Sequence, residues 1–444
     1  MKCKSDICIF TATFFLLLYA NYFSGMNLFM PGMIKDLYLA LFAVLGLTPM
    51  FFRQRKLEKE QISVMIPWVL ILCEILFNRN QDLANGYIQF FVRTIAGVMI
   101  IFMSQFGFCW RKFSMIQMVG ISMPNLIATY VFFFIPGLYK VMIDFYGFVP
   151  VGTNGGIAGY RAGLQNHYSQ NGTLIAFMLL TFGAILLYYI TEEKRIHYAV
   201  FIMAFVSLVA IILTSKRAHF LFTVTALGVV YLIANPRQIL GRGFKLFAMA
   251  IIGVLALYFL SFHISTIKTL LIRFMSAGND GQTRTRFKMW QLALKLFKEH
   301  PLMGIGWGGY KQIYAEELFQ DWQSNSAKYL NTHNTYLQLL CETGAIGLGI
   351  YLWAVLGTLI KTAQGLMYRR SLDPWKRRIL YVSVTSQLFV LLYNFTGNTL
   401  YDYTLFMYSF TAMSGLSVLR KEHYIEEYED ILTMTQRIDN LGVK

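Results

Sequence analysis

About twelve stretches of this chain are long and apolar enough to cross a lipid bilayer, and that closes off most folds before any other residue is weighed. Backbone N–H and C=O groups inside hydrocarbon must bond to one another, so such runs become helices. They centre near Phe15, Ala43, Leu70, Gly97, Ile127, Leu180, Val206, Gly228, Val254, Gly349, Gln387 and Phe410. Two or three soluble domains, the ordinary inference from 444 residues, do not fit a chain that is 56% hydrophobic and 14% charged. The expected fold class is all-α integral membrane, with about twelve transmembrane helices and a large extracytoplasmic loop holding short amphipathic helices. Residues 1–262 would carry helices one to nine, with an outward loop at 137–171. The large loop would be 263–334, helices ten to twelve 335–419, and the cytoplasmic tail 420–444. Lys2 and Lys4 ahead of the first run would also suit a secretory signal, but a retained helix is expected, because cleavage would leave an odd number of helices. The cysteines, Cys3, Cys8, Cys73, Cys109 and Cys341, lie in apolar runs or at their ends and imply no disulfide framework.

Basic residues in short loops favour the cytoplasmic side. RQRKLEKE (Arg53 to Glu60), CWRKF (Cys109 to Phe113), EEKR (Glu192 to Arg195), PRQILGRGFK (Pro236 to Lys245) and YRRSLDPWKRR (Tyr368 to Arg378) therefore orient the chain, with both termini inside. The outward segments Asn21 to Asp36, Asn78 to Gly86 and Asn394 to Thr404 together hold only Lys35 and Arg79 as basic residues. Two outward segments defy the rule. One is the turn TSKRAH, Thr214 to His219, whose Arg217 suits a grip on an anionic substrate, or else a lipid phosphate. The other is Ser265 to Leu339, where nine Lys and Arg residues accumulate and a histidine ends the loop. Arg93 and Glu74, costly inside hydrocarbon, would pair with each other or face a wet cavity. The loop NGGIAGYRAGLQNHYSQNG, rich in Gly and Asn, should be irregular, with Arg161 and His167 as its polar candidates.

In the large loop, Arg284 to His300 has helical periodicity, with Phe287, Trp290, Leu294 and Phe297 on one side and Arg284, Lys288, Lys295 and Lys298 on the other. That helix should stop at His300-Pro301, since proline cannot continue it. GIGWGG, Gly304 to Gly309, follows; its glycines permit close backbone approach, and without a preceding strand it is no dinucleotide motif. His333, next to Asn334 at the head of an apolar helix, can accept a proton from a hydroxyl near neutral pH, and its company with Arg217 and Arg286 suits a phosphate leaving group. No D-x-D or H-x-x-E-H spacing offers a metal site, so a metal-independent mechanism without cofactors is expected.

Four pieces, TSKRA, the R-x-x-x-W of Arg286 and Trp290, HPLMGIGWGGY and HNTYLQLLCETGAIGLG, occur in this order between about Leu213 and Tyr351. In this the sequence resembles the O-antigen ligase and O-antigen polymerase family of bacterial envelope glycosyltransferases. The resemblance implies a bacterial inner-membrane enzyme that moves a glycan from an undecaprenyl pyrophosphate carrier, with inversion and without a metal, at its outer face. Arg217 and Arg286 would bind the pyrophosphate and His333 would activate the acceptor hydroxyl. Lys216, which intervenes where the family usually reads Ser-Arg, and Arg284, close to Arg286, would share the phosphate role. Arg161, His167 and Asn334 would be further substrate or acceptor contacts. The acceptor would be a glycan, lipid or protein, membrane lipids would surround the chain, and no nucleic acid is implied. A lipid-linked glycan flippase or a protein O-oligosaccharyltransferase would be the alternatives.

Overall fold

A computed structural model of the chain describes residues 59–77, 97, 108–146, 158–165, 167–276, 281–317, 330–369, 371–400 and 404–419. Every regular element among them is helical. In order these are α1 (Lys59–Phe77), α2 (Phe108–Phe134), α3 (Pro136–Tyr146), α4 (Tyr168–Tyr188), α5 (Tyr198–Leu213), α6 (Arg217–Ile233), α7 (Ile239–Ser261), α8 (Ser265–Met275), α9 (Gly281–Glu299), α10 (Gly309–Glu317), α11 (Thr335–Tyr368), α12 (Pro374–Tyr393) and α13 (Thr404–Leu419). The apolar runs centred at Leu70, Ile127, Leu180, Val206, Gly228, Val254, Gly349, Gln387 and Phe410 fall in α1, α2, α4, α5, α6, α7, α11, α12 and α13. The runs at Phe15 and Ala43, the tail 420–444, Arg93 and the side chain of Glu74 lie outside the described residues.

Three segments, Tyr168–Glu193, Pro236–Ser261 and Thr335–Tyr368, are long and apolar enough to cross a membrane. A fourth is a broken span: α2 and α3 meet at an angle of 114°. The bend falls where Pro136 removes an N–H and pushes Ile135 out of helical geometry. The irregular loop expected from Gly137 onward therefore begins as helix, because PGLYKVMIDFY pairs a proline start with a run of apolar side chains. Shorter apolar helices complete the bundle, among them α5, α6 and α13. The chain is an all-α membrane protein, and a count of twelve spans rests on runs beyond the described residues.

At the centre stands α12, packed on α4, α6, α11 and α13; α4 packs in turn on α2 and α6, and α13 on α2 and α11. Small residues let them approach: Gly415 faces Ser383 and Thr362, and Gly365 faces Leu419. Polar side chains bond across the contacts. Gln387 Nε2 donates to Thr362 Oγ1 of α11 at 3.0 Å, and Trp68 Nε1 of α1 to Ser409 Oγ of α13 at 2.8 Å. By contrast, no residue of the apolar window of α7 is buried within the protein, as suits a peripheral helix whose solvent is lipid.

One end of the bundle is fixed by charge. A π-helical turn, Tyr189–Glu193, ends α4 and brings Glu192 into a close ion pair with Arg377, while Glu193 pairs with Arg378 at 3.3 Å. Arg377 Nη1 also donates to the Leu366 carbonyl at 2.6 Å. EEKR and KRR, both assigned to one side by their basic character, thus do share one end.

In the large loop, α9 ends at Glu299, just ahead of His300-Pro301. Its inward stripe is Met289, Leu292, Ala293 and Leu296, packed on Tyr310, Tyr314 and Cys341; of the apolar side read from the periodicity, Trp290 packs against this cluster. Phe287 and Leu294 remain exposed. The apolar arc of α9 is wide enough for two stripes, and the one that meets α10 and α11 is the one that is buried.

The glycines after Pro301 have a definite use. Helix α11 breaks at Gly344, whose φ of 66° and ψ of −168° are not helical. The carbonyls of Cys341 and Glu342 there accept from the N–H groups of Ile305 and Gly306, at 2.9 and 3.0 Å. In return Ala345 and Ile346 donate to the carbonyls of Pro301 and Leu302, at 2.9 and 3.4 Å. The loop thereby supplies the bonds the broken helix lacks. A Cβ on Gly344 would lie 2.1 Å from the Leu302 oxygen, and one on Gly304 2.3 Å from the Glu342 carbonyl carbon, so only glycine admits this approach.

Candidate active site

At the end opposite the charged clamp, the starts of α4, α6 and α11, the end of α12 and one side of α9 surround a cavity of about 520 Å³. Its cations and imidazoles are Lys216, Arg286, His167 and His333. Five sequence segments, more than two hundred residues apart at their extremes, thus supply one site.

Each of these side chains is placed by a local device. The α5–α6 connection is only a few residues long, and it reverses because Ser215 takes a left-handed φ of 56°. Lys216 then stands as the N-cap residue of α6, its ammonium 3.6 Å above the centre of the Tyr168 ring. His167 caps α4, its Nδ1 accepting from Ser169 N–H at 3.0 Å. His333 itself is left-handed, φ 53°, a conformation a non-glycine residue holds only when its neighbours dictate it. They do so here. Trp290 Nε1 donates to the Thr332 carbonyl at 3.0 Å, and Thr332 N–H donates to Gln338 Oε1 at 2.9 Å. Asn334 Oδ1 accepts from Leu337 N–H at 3.1 Å as the N-cap of α11. The R-x-x-x-W spacing is thereby explained: Arg286 lines the cavity, and Trp290, one turn on, fixes the strand that carries the histidine.

Burial holds the His333 imidazole down at about 4, and the positive charges of Arg286 and then Lys216 push the same way. His167 is also held at about 4, by burial first and then by Lys216 and His333. Both rings are therefore neutral at physiological pH. In the unfolded chain each would titrate near 6.5, so between these values the unfolded state binds more protons and stability falls as pH drops from about 6.5 toward 4. Thermal unfolding in detergent should show a lower midpoint at pH 5 than at pH 7, and His167→Asn, which keeps a capping side chain, should lessen the difference. Equal midpoints in the parent chain would contradict neutral burial.

Of the other residues singled out in the sequence, Arg217 opens α6 half-buried and is not among the lining residues. It stands about 100° further round the helix than Lys216. Arg284, two residues from Arg286 and so on nearly the opposite side of α9, is exposed. Arg161 is buried in a 3₁₀ turn, where its carbonyl accepts from Asn171 Nδ2 at 2.9 Å. Asn334 serves the helix cap.

The cavity also holds residues that charge counting passed over: Tyr393, Thr396, Gly397 and Asn398, at the end of α12. NFTGN is a small-residue polar cluster between two apolar runs, a turn signal that could have drawn notice. Behind the wall lies His219, which is buried. The Thr173 hydroxyl donates to the Ser169 carbonyl at 3.1 Å, so its oxygen is free to accept from His219 Nε2 at 3.0 Å. Among the described residues, no group of three His, Cys, Asp or Glu side chains is placed to hold a metal ion.

A bundle of apolar helices with two cations and two neutral histidines gathered in a cavity at one end defines a polytopic membrane protein equipped to hold an anion beside a base. Residues 202–352, about a third of the chain, match the family model described as O-Antigen ligase. A 74-residue segment is 34% identical to the exopolysaccharide production protein ExoQ of Rhizobium meliloti (strain 1021), covering 16% of this chain and 17% of that protein. The two matches support the O-antigen ligase/polymerase family for this chain, the one its own motifs resemble. The match spans less than a fifth of the curated relative's length.

Proposed function

We propose that this chain is a membrane glycosyltransferase that moves a glycan from an undecaprenyl pyrophosphate carrier to an acceptor hydroxyl, inverting the anomeric carbon. The observation that carries this reading is the convergence of Lys216, Arg286, His167 and His333 on one cavity. Arg286 and Lys216 meet the pyrophosphate and offset the negative charge that grows on it as the bond from its oxygen to the anomeric carbon breaks. The acceptor oxygen attacks that carbon from the opposite face. Its proton passes to the lone pair of neutral His333.

The charges also set the timing. Without a ligand, the two cations help to keep His333 reluctant to take a proton. A pyrophosphate between them cancels part of that repulsion, so the imidazole becomes a stronger base when the donor is in place. On this reading the cavity opens at the outer face of the bacterial inner membrane and the Glu192 to Arg377 clamp lies inside; the basic residues in the short loops at the clamp end support that orientation.

The purified chain, given an undecaprenyl-pyrophosphate oligosaccharide and no other acceptor, should extend it into longer chains if it is a polymerase. Transfer only after a lipid or protein acceptor is supplied would identify a ligase. Absence of transfer under both conditions, with the donor bound, would reject a transferase. Movement of the donor across a bilayer without transfer would favour a flippase.

A further inference from the structure

We infer that the turn Thr396–Asn398 after α12, together with Asn331, forms a subsite for the hydroxyl groups of a sugar ring in the cavity that holds Lys216 and Arg286; this rests on the transferase reading above. The cavity lining is of two chemical kinds. Lys216 and Arg286 supply charge, while the turn contributes Thr396, Gly397 and Asn398, none of them ionisable. The oxygens Thr396 Oγ1, Asn398 Oδ1 and Asn331 Oδ1 are screened from solvent, and none has a hydrogen-bond partner among the described residues. An unpaired buried polar atom carries a cost, and these three belong to residues that line one cavity, where a small side-chain rotation would turn each oxygen to a ligand's hydroxyl. Amide oxygens accept and carry partial negative charge. With the amide N–H groups and the threonine hydroxyl beside them, these residues offer both donors and acceptors but no charge, which matches the hydroxyl groups of a sugar ring better than a phosphate.

The turn is also rigidly held. The Gly397 carbonyl accepts from Thr335 N–H at 3.1 Å and from Thr335 Oγ1 at 2.9 Å, and the Asn394 carbonyl accepts the same N–H at 2.8 Å. Thr399 N–H donates to Thr335 Oγ1 at 3.1 Å. Thr335 stands two residues after His333, so the turn and the imidazole share one anchor. Gly397 lies flat on Tyr393, where a Cβ would come within 2.6 Å of ring carbon Cζ, and the ring itself lines the cavity.

The test uses the full chain in lipid nanodiscs and two probes, undecaprenyl pyrophosphate bearing an oligosaccharide and the same lipid without sugar. Thr396→Val, nearly isosteric, and Asn398→Ala should each weaken binding of the sugar-bearing lipid roughly tenfold, the worth of one hydrogen bond, and leave the sugar-free lipid within about twofold. Thr396→Ser, which keeps the hydroxyl, should bind like the parent. If donor binding holds but the KM for an acceptor glycan rises about tenfold at constant kcat, the ring is the acceptor's and the subsite still stands. The subsite is overturned if neither arm changes, or if the sugar-free lipid loses as much as the sugar-bearing one. A parent chain that binds neither lipid would instead overturn the transferase reading, and the subsite with it.

Discussion

His333→Asn is expected to slow glycan transfer by about 10²- to 10⁴-fold, the range that a positioned general base supplies, with donor affinity within about twofold of the parent. Asparagine is the informative replacement. His333 holds a φ of 53°, which asparagine tolerates better than alanine does, so the substitution removes the base without adding backbone strain. Arg286→Ala should behave differently, weakening donor binding as well as slowing transfer, because its charge acts on the leaving group. Single-turnover transfer and donor binding, measured on the same preparations, separate the two patterns. Transfer by His333→Asn at a tenth of the parent rate or more would remove the imidazole from the proton-transfer step.

Gly344→Ala should be the most damaging of the glycine substitutions in the loop–helix junction, at roughly 2–4 kcal/mol, combining left-handed strain with loss of the paired backbone bonds that join Pro301–Gly306 to α11. Gly306 offers the comparison. It too is left-handed, φ 93°, but a Cβ there meets nothing within 4 Å, so Gly306→Ala should carry the strain alone, about 1 kcal/mol. Thermal unfolding in detergent reads both. Equal losses would mean that backbone conformation, and not the tight contact with Leu302, is what the glycine at 344 protects.

Much of the fold and part of the site were legible in the sequence, and each shortfall has a physical cause. Membrane helices announce themselves because a run of apolar residues has few other stable states. The end of α9 was readable because Pro301 forbids continuation. Its buried face was not, since two apolar stripes competed and the choice depended on where Tyr310, Tyr314 and Cys341 would stand. Histidine and basic residues near apolar helix starts pointed to the cavity. Yet the difference between Lys216 and Arg217 is a single helical step, set by the left-handed turn at Ser215, which nothing in TSKRA advertises. Thr396 and Asn398 were passed over for the opposite reason, because neutral residues leave no mark on a count of charges.

The clamp at the far end of the bundle bears on what the cavity can accept. Helices α4 and α12 run antiparallel, bolted together by Arg377 and Arg378 on Glu192 and Glu193, and at their other ends they present His167 and the Tyr393 turn to the cavity. Two rods fastened at one end and packed along their length do not splay at the other, so these two walls keep a constant separation. On the transferase reading, accommodation of bulkier or branched glycans then falls to the wall made by α9, whose Phe287 and Leu294 remain exposed. Divergence in glycan size among related chains should accordingly be written in the residues of α9 and its flanking loop, with the α4 and α12 walls acting as a fixed gauge.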